Sequence, residues 1–273
     1  LTGALREYRR WHPDRRLPVE ARHPEVFLHH PALDGLGEED GRTVEIPLDP
    51  HPMLGAFPYA YGEVLGIDIV DPRPEVRLVT ADYDTLASKV AGIGRALLGE
   101  GGAVAIDTWA GWPRRRWPHE RFQALVDFLN TRRGIRVIEV GKTVPDCTGE
   151  ARPAGPGLAG TVLDLVDRLT VRETAAVLAQ CSAYVGSDSG LAHLAAAVGT
   201  TAVVLYAVPW WSRAYPSTVP VFDRRPLRHA HVHGGSFAEH AWQEIDDWSV
   251  DGITVDQVKA ATLHAIARGK GCR

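Results

Sequence analysis

From Ala103 onward the chain alternates short apolar runs with amphipathic stretches, and that rhythm leaves few folds open. Ala103 to Ile106 reads as a buried strand. Pro118 then opens a helix with Phe122, Leu125, Val126 and Leu129 on one face, and Gly134 ends it. Ile135 to Val140 is the next strand, closing at Gly141. Thr170-x-x-Glu173 is a capping box ahead of a helix that turns Ala175, Leu178 and Cys181 to one side. A strand at Ala183 to Val185, an Ala/Leu-rich helix and a strand at Ala202 to Tyr206 follow. Thr254-x-x-Gln257 starts a C-terminal helix with Val258, Ala261 and Ala265 inward. Such alternation gives a parallel sheet covered on both faces, with its ligand at the carboxyl ends of the strands.

Two loops fall at those ends. The first runs Gly186-Ser187-Asp188-Ser189-Gly190, with His193 in the following helical turn. The spacing predicts a strand that breaks at Gly186 and a helix capped by Ser189 or Asp188. Backbone N–H groups and the positive end of a helix dipole there make a seat for a diphosphate. The second loop, Asp107 to Pro118, follows the neighbouring strand and carries Thr108 and the triplet Arg114-Arg115-Arg116. Guanidinium groups pair their donors with phosphate oxygens. Arg114 and Arg116 read equally well as parts of a basic surface loop anchored by Trp117 and Pro118.

The first part of the chain is different. Residues 1 to about 80 are rich in Pro, His and Arg, with short strand candidates at Val44 to Pro47 and Val76 to Val79. Leu86, Val90, Ile93 and Leu97 mark an amphipathic helix leading to Gly101-Gly102. The expected domains are residues 1–85 and 86–273. Arg6, Arg9, Arg10, Arg15 and Arg16 crowd one side of the first helix, opposite Leu1, Leu5, Tyr8 and Trp11. That pattern suits a solvated face or contact with an anionic membrane surface.

Composition narrows the class further. With 45% hydrophobic and 23% charged residues the chain is that of a globular protein, and a net charge of -4 gives no general attraction to nucleic acid. Three widely spaced cysteines, Cys147, Cys181 and Cys272, suggest neither a disulfide framework nor a paired-cysteine metal site. A cytoplasmic location is expected, at the inner face of the membrane if the basic helix touches it. His229, His231 and His233 would share one face of a strand and permit a metal, but they read equally as polar loop histidines.

Taken together, these segments resemble the ADP-heptose:lipopolysaccharide heptosyltransferases, glycosyltransferase family nine. The matching pieces are Arg115-Arg116-Trp117-Pro118 with Phe122 and Leu125, the strand ending at Gly141, Leu169-Thr170-x-x-Glu173, and Val185 to Ala197. Val203 to Tyr206 and the helix start at Gly252-Ile253-Thr254 complete them. The resemblance is firm over about residues 103–268 and weak before. It implies an α/β, GT-B-like fold of two Rossmann-like domains with parallel sheets, the N-terminal one short and lacking its first strand. It also implies a metal-independent sugar transfer, a heptose in the family, from a nucleoside diphosphate donor with ADP-sugar favoured. The acceptor would be a lipopolysaccharide-type glycan or a specialised metabolite. A non-catalytic nucleotide-sugar-binding protein, or a module needing a partner for catalysis, is the alternative.

The same resemblance gives the donor-binding set as Thr108, Arg115, Gly141, Ser187, Asp188, Ser189, Gly190, Leu191 and His193. Arg115 and His193 would hold phosphate oxygens, Ser189 and Gly190 would offer backbone N–H groups, and Asp188 would approach sugar hydroxyls. No cofactor and no metal are implied. The family's catalytic carboxylate lies in a Gly-Asp motif expected upstream of Leu1, so the chain as given is expected to be impaired, with Glu7 and Asp14 as nominal substitutes. Trp210, Trp211 and Arg213 could flank an acceptor sugar or simply bury a loop.

Overall fold

The computed structural model describes residues 2–14, 18–19, 24–33, 35–36, 61–62, 65–97, 102–143, 145, 149, 157–160, 163–207, 215–223 and 249–270. They divide into two compact units, one of the residues up to Arg77 together with Tyr215 and Pro216, the other of the remaining described residues from Leu78 on. In the first, helix α1 (Thr2–Trp11) precedes a two-stranded parallel pair, β1 (Pro18–Val19) and β2 (Gly35–Leu36).

The arginines of α1 do not form an open basic face. Arg6 bridges Asp71 and Glu75 at 3.1 and 3.0 Å. Arg9 donates to the carbonyls of Ala32 and Pro13, and Arg10 pairs with Glu7 at 2.8 Å. Glu7 is only 2% exposed and answers that charge from within. Asp14 is exposed. Arg73, hydrogen-bonded to Asp71 and aided by Arg6, pulls that carboxyl down to about 2 against the effect of its burial. Arg15, Arg16 and the strand candidate at Val44 to Pro47 lie outside the described residues. Val76 to Val79 is no strand; Val79, in extended conformation, instead caps the next helix, its N–H donating to Asp82 Oδ2 at 2.8 Å.

The second unit carries the parallel sheet. Its strands are β3 (Ala103–Ile106), β4 (Arg136–Glu139), β5 (Leu163–Asp164), β6 (Ala183–Ser187), β7 (Ala202–Tyr206) and β8 (Thr218–Phe222), in the order β5-β4-β3-β6-β7-β8. Every pairing is parallel. Strands β3, β6 and β7 are buried along their whole length, as continuous apolar runs in a doubly covered sheet require. Because β4 follows β3 to one side and β6 to β8 lie on the other, the chain reverses direction across the sheet between β3 and β6. That is where such sheets open a crevice.

Among the described residues six helices belong to this unit. They are α2 (Thr80–Lys89), α3 (Ile93–Leu97), α4 (His119–Arg133), α5 (Val171–Gln180), α6 (Gly190–Ala197) and α7 (Val255–Lys270). Helices α4 and α7 lay Phe122, Leu125, Val126, Leu129, Val258 and Ala265 against Val104, Val137, Val185 and Val203. Helix α5 packs on β3, and α6 packs on β6 and β7. Pro118 caps α4 and Gly134 ends it at φ 59°.

The periodicity over Leu86, Val90, Ile93 and Leu97 buries all four residues, but not on one helix. Gly92 at φ 79° turns the backbone between α2 and α3. Helix α2 packs on α5 through ion pairs, Lys89 to Glu173 at 2.7 Å and Arg172 Nε to Asp82 at 2.7 Å.

The capping box of α5 is formed as read. Thr170 N–H donates to Glu173 Oε2 at 2.8 Å, and Glu173 N–H donates to Thr170 Oγ1 at 3.2 Å. Thr170→Ala should therefore lower stability by about 0.5–2 kcal/mol in denaturant titration. A change below that range would mean the box adds nothing to α5.

Candidate functional site

Strand β6 runs to Ser187, two residues beyond the expected Val185, because Gly186 and Ser187 still pair with Val204 and Leu205 of β7. Tyr184 explains the glycine. A Cβ at residue 186 would run into the Tyr184 hydroxyl, so the buried ring needs bare backbone there. Burial, with the negative charge of Asp107, pushes that phenol well above its usual pKa.

After β6 the chain turns through Asp188 into α6, with Ser189 as N-cap in extended conformation. The first bond of α6 is from Ala192 N–H to the Ser189 carbonyl at 3.1 Å. The N–H groups of Gly190 and Leu191 precede it and belong to the orphan donors of a helix start. Ser189 makes no cap bond with its hydroxyl. Ser187 is 4% exposed, and its hydroxyl has no partner among the described residues. A buried hydroxyl left so is costly unless something binds it. Around Gly190 there is open space: a Cβ built there would meet nothing within 4 Å.

Arg115 reaches this turn from the loop after β3. Its guanidinium donates to the Asp188 carbonyl at 3.1 Å. The loop that carries it is fixed at several points. Asp107 accepts from Trp109 N–H at 3.1 Å. Pro113 starts a short 3₁₀ turn, Pro113–Arg115. Arg116 lies 3.6 Å over the Trp109 ring and donates to the Ala110 carbonyl, so it is a strut of the loop. The Arg114 carbonyl accepts from Val250 N–H. Trp117 is buried and donates through Nε1 to the Ile253 carbonyl at 2.9 Å.

His193 stands one turn into α6, within electrostatic reach of both Asp188 and Arg115. Burial holds its pKa below 6.5; Asp188 opposes that shift and Arg115 adds to it. The imidazole is therefore neutral at neutral pH and can accept or donate according to tautomer. A depressed folded-state pKa makes a contribution to stability that is complete above the unfolded value near 6.5 and falls away as pH drops below it. The stability difference between wild type and His193→Gln should be constant above pH 7 and shift against wild type below 6.5. Parallel unfolding curves at every pH would disprove the assignment.

Thus Arg115, Ser187, Asp188, Ser189, Gly190, Leu191 and His193 come together at the carboxyl ends of β3 and β6. Gly141 and Thr108 are held differently. Gly141, at φ 137°, follows β4 and accepts from Asp167 N–H at 3.0 Å. Thr108 turns its hydroxyl to Glu139, which lies within the apolar strand segment Ile135 to Val140. A lone carboxylate in an apolar run was the signal available. Among the described residues no cluster of His, Cys, Asp and Glu could hold a metal. His229, His231, His233, Trp210, Trp211 and Arg213 lie outside them.

A family model described as Glycosyltransferase family 9 (heptosyltransferase) matches residues 40–217. Lipooligosaccharide heptosyltransferase 2 of Haemophilus influenzae is 35% identical over 114 residues, which is 41% of this chain and 33% of that protein. The match thus spans a third of the curated relative. Among solved structures, a glycosyl transferase family 9 protein from Veillonella parvula aligns with a TM-score of 0.72 at 14% identity, over 98% of this chain and 93% of that one. ADP-heptose lps heptosyltransferase II of E. coli aligns at 0.59 and 15% identity, over 98% and 95%. The dodecameric iron-containing heptosyltransferase TibC, in complex with ADP-D-beta-D-heptose, aligns at 0.58 and 18%, over 98% and 74%. These likenesses carry the fold, an α/β, GT-B-like architecture with parallel sheets.

Proposed function

The chain belongs to glycosyltransferase family 9, the heptosyltransferases, and on that premise we propose that it moves a sugar from a nucleoside diphosphate donor, ADP-heptose in first place. The acceptor is a lipopolysaccharide-type glycan or a specialised metabolite. The observation that carries the reading is the convergence of Arg115 and His193 on the Ser187–Gly190 turn, which also holds an unpartnered buried hydroxyl and the start of α6.

Breaking a sugar–diphosphate bond leaves negative charge on the departing nucleotide. Donors already fixed in place, and an arginine whose hold strengthens as that charge develops, lower the barrier. Arg115 and the N–H groups of Gly190 and Leu191 would bind the diphosphate. His193 would bond a phosphate oxygen, and Asp188 would orient a sugar hydroxyl. In this reading the leaving charge is met by protein groups, without a metal and without a cofactor. Among the described residues no helix is long and apolar enough to cross a membrane.

Isothermal titration with ADP-, GDP- and UDP-sugars tests the donor class. Gly190→Ala, which the protein's own packing tolerates, should leave the unfolding midpoint unchanged and weaken the nucleotide that binds. Binding by no nucleotide sugar would overturn the reading. Binding without transfer to any glycan would leave a nucleotide-sugar-binding protein instead. Replacing His229, His231 and His233 together should leave activity and metal content as they were; stoichiometric metal that vanishes in the triple variant would contradict the metal-free scheme.

A further inference from the structure

Thr108 sits in the loop expected to serve the diphosphate, yet its hydrogen bonding is wrong for a phosphate. A threonine hydroxyl has one proton. Here that proton goes to Glu139: Thr108 Oγ1 donates to Glu139 Oε1 at 2.9 Å. Glu139 is 1% exposed at the carboxyl end of β4, and its other oxygen accepts from Leu158 N–H at 3.2 Å. Gly157 lets that segment close on the carboxylate, since a Cβ there would lie 2.9 Å from Glu139 Oε2. Both oxygens of this buried carboxyl thus accept, one from Thr108 and one from Leu158. With its proton given inward, the Thr108 oxygen can only accept from anything else. A phosphate oxygen also only accepts, so the two would repel.

A sugar hydroxyl donates. Rossmann-type sheets place a carboxylate at the end of the strand beside the phosphate loop, where it takes a ribose hydroxyl. Glu139 occupies that place on β4, next to β3, with partly exposed Thr108 in front of it. The geometry points to Thr108 as the acceptor for a hydroxyl of the donor, on the ribose or on the transferred sugar, and to Glu139 as the positioning residue that fixes its polarity. The inference rests on the nucleotide-sugar reading above and changes the role of Thr108 within it.

Glu139→Gln tests it at constant shape. The glutamine carbonyl can still accept from Leu158, while its amide must donate to Thr108 and turn the threonine proton outward. The full-length protein is titrated with the tightest-binding nucleoside diphosphate, its 2′-deoxy and 3′-deoxy forms, and the corresponding nucleotide sugar. If the ribose is read, wild type should prefer the parent over one deoxy form by about three- to tenfold. Glu139→Gln and Thr108→Val should abolish that preference, and Thr108→Ser should keep it. If the transferred sugar is read, both variants should instead abolish the preference for nucleotide sugar over nucleotide. Uniform weakening of every ligand, or unchanged ratios, would overturn the inference while leaving the donor site standing. Binding of none by wild type would overturn both. Should Glu139→Gln fail to fold, the contrast of Thr108→Val with Thr108→Ser reads the same ratios.

Discussion

Trp117→Ala should lower the stability of the sheet-bearing unit by about 3–5 kcal/mol, the range for deleting a buried aromatic. The ring is 2% exposed and meets Phe122 edge-on, with centroids 4.9 Å apart. Its indole N–H also reaches the Ile253 carbonyl, 136 residues away. Truncation leaves a cavity between α4 and the start of α7 and frees the loop that aims Arg115. Denaturant unfolding should show the loss, and nucleotide affinity should fall with it. Trp117→Phe keeps most of the apolar contact and removes the donor, so it should lose roughly 1 kcal/mol for the bond in addition to the imperfect fit. An Ala variant within 1 kcal/mol of wild type would show that the loop holds by its other ties.

Arg115→Ala has the larger effect on binding. The guanidinium sits at the Asp188 carbonyl, where it can exchange a neutral acceptor for a charged one. A charge-assisted bond is worth about 1.5–3 kcal/mol, so affinity for nucleoside diphosphate should fall roughly ten- to a hundredfold. The free nucleoside, with no phosphate to hold, should be affected far less. His193→Ala should weaken binding less than Arg115→Ala and reduce turnover more than binding. Equal losses for nucleoside and diphosphate would remove Arg115 from the phosphate site. Calorimetry with the two ligands decides it.

Local signals survived into the structure where the chemistry is local. Thr170 with Glu173 and Thr254 with Gln257 form their boxes because cap and partner are three residues apart. Pro118 and Gly134 bound α4 for the same reason. Periodicity found which residues of 86–97 are buried but not that Gly92 divides them between two helices. Strand β8 was missed because Pro220 lies in its middle; a proline is tolerated there since β8 ends the sheet and one side of it needs no ladder donor. The partners of Glu7 and Arg6 could not be read either. An ion pair between residues 6 and 75 depends on tertiary closure, and side-chain type alone made both look solvated.

Within the site, Arg115 and the Ser187–His193 turn were legible because sheet topology brings the ends of adjacent parallel strands together. Glu139 was not, since its meaning lies in what Thr108 does with its single proton.

The reversal of the sheet between β3 and β6 has a thermodynamic consequence. Val104 pairs with Ala183 there, so the two halves of the proposed phosphate seat come from distant stretches of chain and exist together only when these strands are assembled. On the proposed function, a nucleotide bound across that seam would recognise the finished unit and nothing less folded. Its free concentration then acts on the folding equilibrium itself, adding about 2.7 kcal/mol when it stands at a hundred times its dissociation constant. The donor pool would thus set how much of the protein is folded, as well as how fast it works.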